Sequence, residues 1–388
     1  MRRIAEKARE NPEVLESLRN LFEERPEKEN SETNRMKLDK GAERLTPDKI
    51  DPEVWNNVRK MLTEKMPISD QQNDTRRELN DNTGTPIVLV HGVTGNFWDL
   101  WPGGYNSSLG SNCTDYWGDA ISYLNKQGYS DIRTVQYYTG DTNCDVDLHA
   151  SAYQNLCDNS APGNEGTNNE DLDHVSCLLA QYLNQNFAGG QNVILVGHSM
   201  GGIIVRNTVG YVGQIGGQAG LPNDIGYVTD AVTFNSPHAG VTDAAGWFKT
   251  CGGCQQITQL TADDPFMTTL GNYMQNPQTS AGFTQWTVVG SECDIIVGGA
   301  PGGAATEIAM QASHAIMYSK SDSATCYSHT GALGDSSTAN DAWLYSCDTN
   351  NPTGSPCGTD YQDLTNGWIQ EINTGPHGLQ ALYEAVGQ

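Results

Sequence analysis

Apolar and polar positions divide the chain into two parts. From Pro86 onward, strand-like stretches recur at 86–91, 132–138, 192–197, 228–235 and 284–290, unbroken and apolar at Ile87–Val90 and Val193–Val196 and mixed in the others, separated by helical or loop material. Runs of that length predict strands buried on both faces, as in a mostly parallel sheet covered by helices, so the fold class is expected to be α/β. Residues 1–84 read differently. Asn11-Pro12 and Asp51-Pro52 each place a capping side chain before a proline suited to a first helical turn. Behind them, Val14, Leu15, Leu18, Leu21 and Phe22, then Val54, Trp55, Val58, Met61 and Leu62, recur at helical spacing. The stretches Arg25 to Leu45 and Pro67 to Thr85 are polar and read as linkers. The pattern predicts a charged helical N-terminal extension and linker over 1–84 and one large domain over 85–388. The extension would serve as a propeptide, folding helper or cover, or simply as a solvated arm.

One junction carries a chemical signal. The apolar run Val193-Ile194-Leu195-Val196 is followed by Gly197-His198-Ser199-Met200-Gly201, and a second apolar run of helical length starts at Ile203. This is G-x-S-x-G between a strand and a helix. A strand reversing tightly into a helix exposes its central serine in a strained conformation, and the small flanking residues keep strand and helix from colliding. Ser199 is then expected at a helix N-terminus, where the Met200 N–H favours developing negative charge. A second strand ends in His91-Gly92, and Gly92 lets the backbone turn so that the Val93 N–H faces the same spot. His91 is read as a hydrogen-bonded structural histidine. Phe97, Trp98 and Trp101 form an aromatic cluster near the expected acyl site, or plain packing.

With these motifs, and with Asn235-Ser236-Pro237-His238-Ala239-Gly240 and Ser291-Glu292-Cys293-Asp294, the stretch from Pro86 to Gln388 resembles the α/β-hydrolase superfamily, specifically secreted microbial lipases and esterases. The resemblance implies an α/β-hydrolase fold, a serine, acid and histidine in that chain order, and ester hydrolysis. In similar lipases the Asn235 to Gly240 turn supports the site without doing chemistry, so His238 is assigned to packing or hydrogen bonding. The lipase-like pattern puts the acid at Asp294, after the run Thr284 to Gly290, with Glu292 and Asp230 as weaker candidates. For the base, His329 lies in a loop of small residues just after the expected last strand, where similar enzymes carry their catalytic histidine. His377 is the alternative. His314, ahead of Ala315-Ile316-Met317-Tyr318, is expected to be buried. The predicted catalytic residues are thus Ser199, Asp294 and His329, with Val93 and Met200 as the oxyanion hole, and the stretch 241–282 is the expected cap.

Composition narrows the partners. The formal net charge is -25, yet residues 85–388 hold only 5 of the 22 Lys and Arg and 28 of the 47 Asp and Glu. Such a surface repels nucleic acid, and its acidity fits solubility or salt tolerance better than an acidic-partner role. A lipid or other small-molecule ester is the expected partner, with a lipid–water interface as one place to meet it. All ten cysteines lie between Cys113 and Cys357, which favours disulfides and a secreted protein, although no export signal is visible at the N-terminus. Cys144 and Cys157 are expected to close one loop, and Cys251 and Cys254 a smaller one. Asp141, Asn143, Asp145 and Asp147 alternate like a calcium loop, but Val146 and Ala152 stand where an EF-hand needs Gly and Glu. An irregular structural calcium site stays open, and no other metal or cofactor is expected. The same three residues also serve amide, thioester and polyester hydrolases, and a catalytically silent binding module is the remaining alternative.

Overall fold

The computed structural model describes residues 83–93, 110–158, 162–241, 254–274, 277, 284–291, 293–294, 297, 310, 312, 314–318, 327–334, 340–346, 370–375 and 377–387. The expected helices of 1–84, the aromatic cluster at 97–101, Cys251 and Glu292 lie outside them.

The strands are β1 (Ile87–Val90), β2 (Ile132–Gln136), β3 (Val146–Asp147), β4 (Val193–His198), β5 (Val228–Phe234), β6 (Gln285–Ser291), β7 (His314–Tyr318), β8 (Asn340–Ser346) and β9 (Gln370–Gly375). They form one sheet in the order β3-β2-β1-β4-β5-β6-β7-β8-β9. All neighbours through β7 are parallel, and β8 and β9 continue antiparallel. This is an α/β-hydrolase fold with a mostly parallel central sheet. The five expected strands are present, but the strand before His329 is not the last.

The apolar runs of β1 and β4 follow from burial on both faces. Val88, Val90, Val193, Leu195, Trp286 and Val288 pack into one core layer, while Ile87, Leu89, Ile194, Val196, Val232, Phe234 and Val289 pack into the other. The first layer is closed by α3 (Leu172–Phe187) and α4 (Met200–Ile215), the second by α1 (Cys113–Lys126) and α7 (Gly378–Val386). A short α2 (Ser151–Gln154) precedes α3, and α5 (Gln255–Gln259) and α6 (Pro265–Tyr273) add Ile257, Met267 and Leu270 to the first layer. Local signals start several helices. Asn112, Asp171 and Asp264 each accept a hydrogen bond from the backbone two residues on, and Pro265 opens α6.

Disulfides join Cys113 to Cys144 and Cys157 to Cys177, which corrects the expected Cys144–Cys157 loop. The reason is spatial: α1 and α3 each bring a cysteine to one end of that loop, a pairing that spacing alone does not show. Cys254 and Cys293 are also disulfide-bonded. Disulfides fit an oxidising, extracellular or lumenal compartment. Among the described residues no helix is long and apolar enough to cross a membrane.

Candidate active site

The site lies at the C-terminal ends of β1, β4, β6 and β7, the edge at which open α/β sheets present ligands. β4 ends at His198, and Ser199 takes φ 57 and ψ -128 before α4 begins at Met200. A non-glycine residue there is strained by roughly 1–3 kcal/mol and persists only where its surroundings dictate it. The Ser199 N–H donates to the Phe234 carbonyl at 2.9 Å, tying the turn to β5. The flanking glycines permit the close approach. A Cβ on Gly201 would lie 2.1 Å from the Val90 oxygen, and one on Gly197 would lie 2.5 Å from the Gly202 backbone. Although Ser199 is the N-cap residue of α4, its side chain makes no capping bond. Its hydroxyl instead faces His329.

Ser199 Oγ lies 2.8 Å from His329 Nε2, and His329 Nδ1 lies 2.6 Å from Asp294 Oδ2. Oγ–H is placed to donate to Nε2 while Nδ1–H donates to the carboxylate, which fixes the tautomer. The Asp294 side chain is fully buried, whereas His329 is 12% exposed. The second carboxylate oxygen, Oδ1, accepts the Val297 N–H at 3.1 Å. The His329 loop is itself held. Its carbonyl accepts from His198 Nε2 at 2.7 Å and Asn235 Nδ2 at 2.8 Å, and Ser291 Oγ donates to the Tyr327 carbonyl at 2.7 Å. Because Nε2 of His198 carries the hydrogen, Nδ1 is free to accept from the Tyr116 hydroxyl. Burial, reinforced by the neighbouring His329, pushes the His198 pKa down to about 3, so this ring is neutral.

Met200, the first residue of α4, has an N–H with no intrahelical acceptor. Val93 follows Gly92 in the loop after β1. A Cβ on Gly92 would lie 2.5 Å from Ser199 Cβ, so only glycine allows this loop to touch the serine. The Gly92 N–H donates to Tyr116 Oη at 3.1 Å. Behind the loop, His91 Nε2 lies 3.0 Å from Asp141 Oδ2, and Asp141 also accepts from the backbone N–H groups of Ser111, Tyr137 and Tyr138. Burial would raise the Asp141 carboxyl, but the His91 contact and these N–H donors outweigh it and hold the pKa below its ordinary value. Asp141 thus anchors the His91 loop. Asp145, likewise part of the calcium-like alternation, accepts from the Thr134 N–H and hydroxyl, both at 2.8 Å.

The other candidates stand elsewhere. Asp230 sits near the start of β5, in register with Ile194, away from the edge that carries Ser199. His314 begins β7, with Nε2 2.9 Å from Gln285 Nε2, and is buried as expected. His377 caps α7 by accepting the Gln380 N–H at 3.1 Å, and its ring stands edge-on to Tyr123. His238 is buried 2.8 Å from Thr233 Oγ1. Sequence reasoning missed Tyr116 and Tyr137, whereas Asn235 lies in the turn expected to support the site and holds the His329 carbonyl. Tyr137 lay at the end of a strand-like stretch, where nothing marks a hydroxyl as aimed at a loop.

A family profile described as a PGAP1-like alpha/beta domain matches residues 81–248. A GPI inositol-deacylase of Candida albicans is 26% identical over 149 residues, which take in 38% of this chain and 32% of that protein. The chain therefore spans about a third of the length of this curated relative. Among solved structures, the Bacillus licheniformis lipase BlEst2 is 19% identical, with 55% of this chain and 69% of that one covered at a TM-score of 0.32. The metagenomic carboxyl esterase MGS0156 is 11% identical, with 79% and 76% covered at 0.37. Phospholipase PlaB of Legionella pneumophila is 15% identical, with 54% and 40% covered at 0.30.

Proposed function

We propose that this chain, an α/β-hydrolase by fold with similarity to a deacylase, is a serine hydrolase that cleaves carboxylic esters of lipids through an acyl-enzyme. The observation that carries this reading is the continuous contact from Ser199 Oγ through His329 to a fully buried Asp294, with the serine at positive φ. His329 Nε2 takes the proton of Ser199 as Oγ bonds to the ester carbonyl carbon. The carbonyl electron pair collects on an oxyanion facing the N–H groups of Val93 and Met200. On collapse, the leaving alcohol departs with the proton held by His329. Water, deprotonated by the same imidazole, then attacks the acyl carbon and releases the acid and Ser199. Asp294 stays ionised and stabilises the imidazolium. Serine, imidazole and carboxylate supply nucleophile, base and counter-charge, so the reading needs no organic cofactor.

The disulfides support a secreted or lumenal setting, where acyl lipids are met at a membrane or droplet surface. The name of the curated relative favours acylated inositol lipids within this class. In an assay with a short-chain chromogenic ester and a fluorophosphonate label, Ser199→Ala is expected to lose both turnover and labelling. Wild-type-like turnover by that variant would end the proposal. A panel of triacylglycerol, phospholipid and acyl-inositol lipid then ranks the substrates.

A further inference from the structure

Peptide geometry at Gly92 assigns a role to a tyrosine outside the three reacting residues. Tyr137 is completely buried, and its hydroxyl lies 2.6 Å from the His91 carbonyl and 2.8 Å from the Gly92 carbonyl. His91 Nδ1 lies 2.8 Å from the same Gly92 carbonyl, and the His91 and Tyr137 rings stack with centroids 4.2 Å apart. Asp141 fixes the far side of that imidazole and also binds the Tyr137 N–H, so ring and hydroxyl share one anchor. The Gly92 carbonyl is therefore turned into the protein. In a trans peptide the N–H points opposite to the C=O, so the Val93 N–H is turned away from Tyr137 and His91, in a loop whose Gly92 lies against Ser199. Burial raises the Tyr137 pKa well above the ordinary phenol value, with the neighbouring Tyr138 and Asp141 adding to it, so the hydroxyl stays a donor.

We infer that Tyr137, seated with His91 on Asp141, is a positioning residue that holds the Gly92–Val93 peptide with its N–H aimed at the oxyanion. Without the hydroxyl, the two buried carbonyls that share its single hydrogen lose it, and one way to recover a donor is to rotate this peptide, which turns a carbonyl toward the developing charge. The donor is thus preset before substrate arrives, and its orientation is worth most in the transition state. This inference rests on the serine-hydrolase reading.

The test is Tyr137→Phe, which removes one hydroxyl and keeps the stacked ring, with active sites counted by fluorophosphonate titration. Per titrated site, kcat is expected to fall on the order of 10–100-fold, below the full loss of a donor, while KM moves less than about threefold. A trifluoromethyl ketone, which forms a tetrahedral adduct on the serine, is expected to lose affinity in parallel with kcat. A purely structural role would instead lower the titrated fraction and the thermal midpoint and leave kcat per site unchanged, and that result overturns the inference. Val93→Pro deletes the N–H itself, and adding Tyr137→Phe to it should cost little more, because the donor to be aimed is gone. Full additivity would also overturn it. Ser199→Ala run alongside separates the two levels: an active Ser199→Ala ends the hydrolase reading, whereas an inactive one beside a fully active Tyr137→Phe ends only this inference.

Discussion

Asp294 is wholly buried and ionic in the proposed mechanism, which only its partners make tolerable: Nδ1–H of His329 on one oxygen and the Val297 N–H on the other. Asp294→Asn keeps the shape but presents an amide, and one orientation of it forces the wrong imidazole tautomer. Ester turnover is expected to fall on the order of 10²–10⁴-fold with the fold retained, read from kcat beside a circular-dichroism melt. A fall below tenfold would remove Asp294 from its assigned role. His198 supplies a second prediction at this scale. Its pKa drops from 6.5 unfolded to about 3 folded, because burial and His329 disfavour the cation. Between those values the unfolded chain binds a proton that the native chain refuses, so stability falls as pH drops below 6.5, by about 1.4 kcal/mol per pH unit. His238, buried beside Arg206, is lowered too and adds the same sign. In urea titrations at about pH 7 and about pH 5, His198→Gln should lose roughly 2 kcal/mol less on acidification than the parent chain. An identical loss would show that His198 does not govern this window. Ser199 stood out because a strand-turn-helix pattern is local, whereas Asp294 and His329 were placed by resemblance to lipases and come within reach of Ser199 only through the tertiary fold. The supports were not legible: Tyr116 lies on a helix, Tyr137 at the end of a strand-like stretch and Asp141 in a calcium-like alternation, and only the tertiary fold aims them at Gly92 and His91.

α4 does more than carry Ser199 at its first turn. Arg206, completely buried midway along it, donates to the carbonyls of Leu270 at 2.8 Å, Met274 at 3.0 Å and His238 at 2.7 Å. Two of those carbonyls lie at the C-terminal end of α6, that of Leu270, which also accepts the Met274 N–H at 3.1 Å, and that of the C-cap residue Met274; the third belongs to the turn after β5. One planar guanidinium thus joins three elements to the serine helix. Arg206→Met fills much of the volume but removes three hydrogen bonds, leaving Leu270 only its bond from the Met274 N–H, and is expected to cost roughly 2–5 kcal/mol, measured as a drop in urea midpoint at constant slope. Arg206→Lys should recover only part, since an ammonium cannot reach all three acceptors in the plane of a fork. Full recovery by lysine would mean that charge alone, without the fork, holds the joint. At the scale of elements, strands buried on both faces announce themselves, since both side-chain sets are apolar. β3 is two residues long and β9 reads Gln-Glu-Ile-Asn-Thr-Gly, too short or too polar to form an apolar run, while β8 holds Ala-Trp-Leu-Tyr, a run that the sequence reading passed over. These strands lie outside the centre of the sheet, where pairing is set by neighbours already in place.

Across the whole molecule, charge is the strongest influence outside the core. Residues 85–388 carry 28 acidic and 5 basic side chains, and one of those basic groups, Arg206, is buried. Another, Arg133, is paired with Asp131 at 2.7 Å. Little positive charge is left to offset the acidic surface, so the folded state repels itself more strongly than the expanded chain does. Salt shortens the reach of that repulsion from about 10 Å at 0.1 M to about 3 Å at 1 M. The thermal midpoint is therefore expected to rise by several degrees between those concentrations of KCl, against the ordinary weakening of surface ion pairs by salt. Calcium chloride at matched ionic strength separates general screening from a bound ion. Screening alone gives similar shifts for the two salts, whereas a built site gives a rise with calcium at concentrations too low to screen. A midpoint that stays flat or falls in KCl would mean that the acidic side chains are spaced too widely to oppose one another, and that the charge contributes to solubility alone.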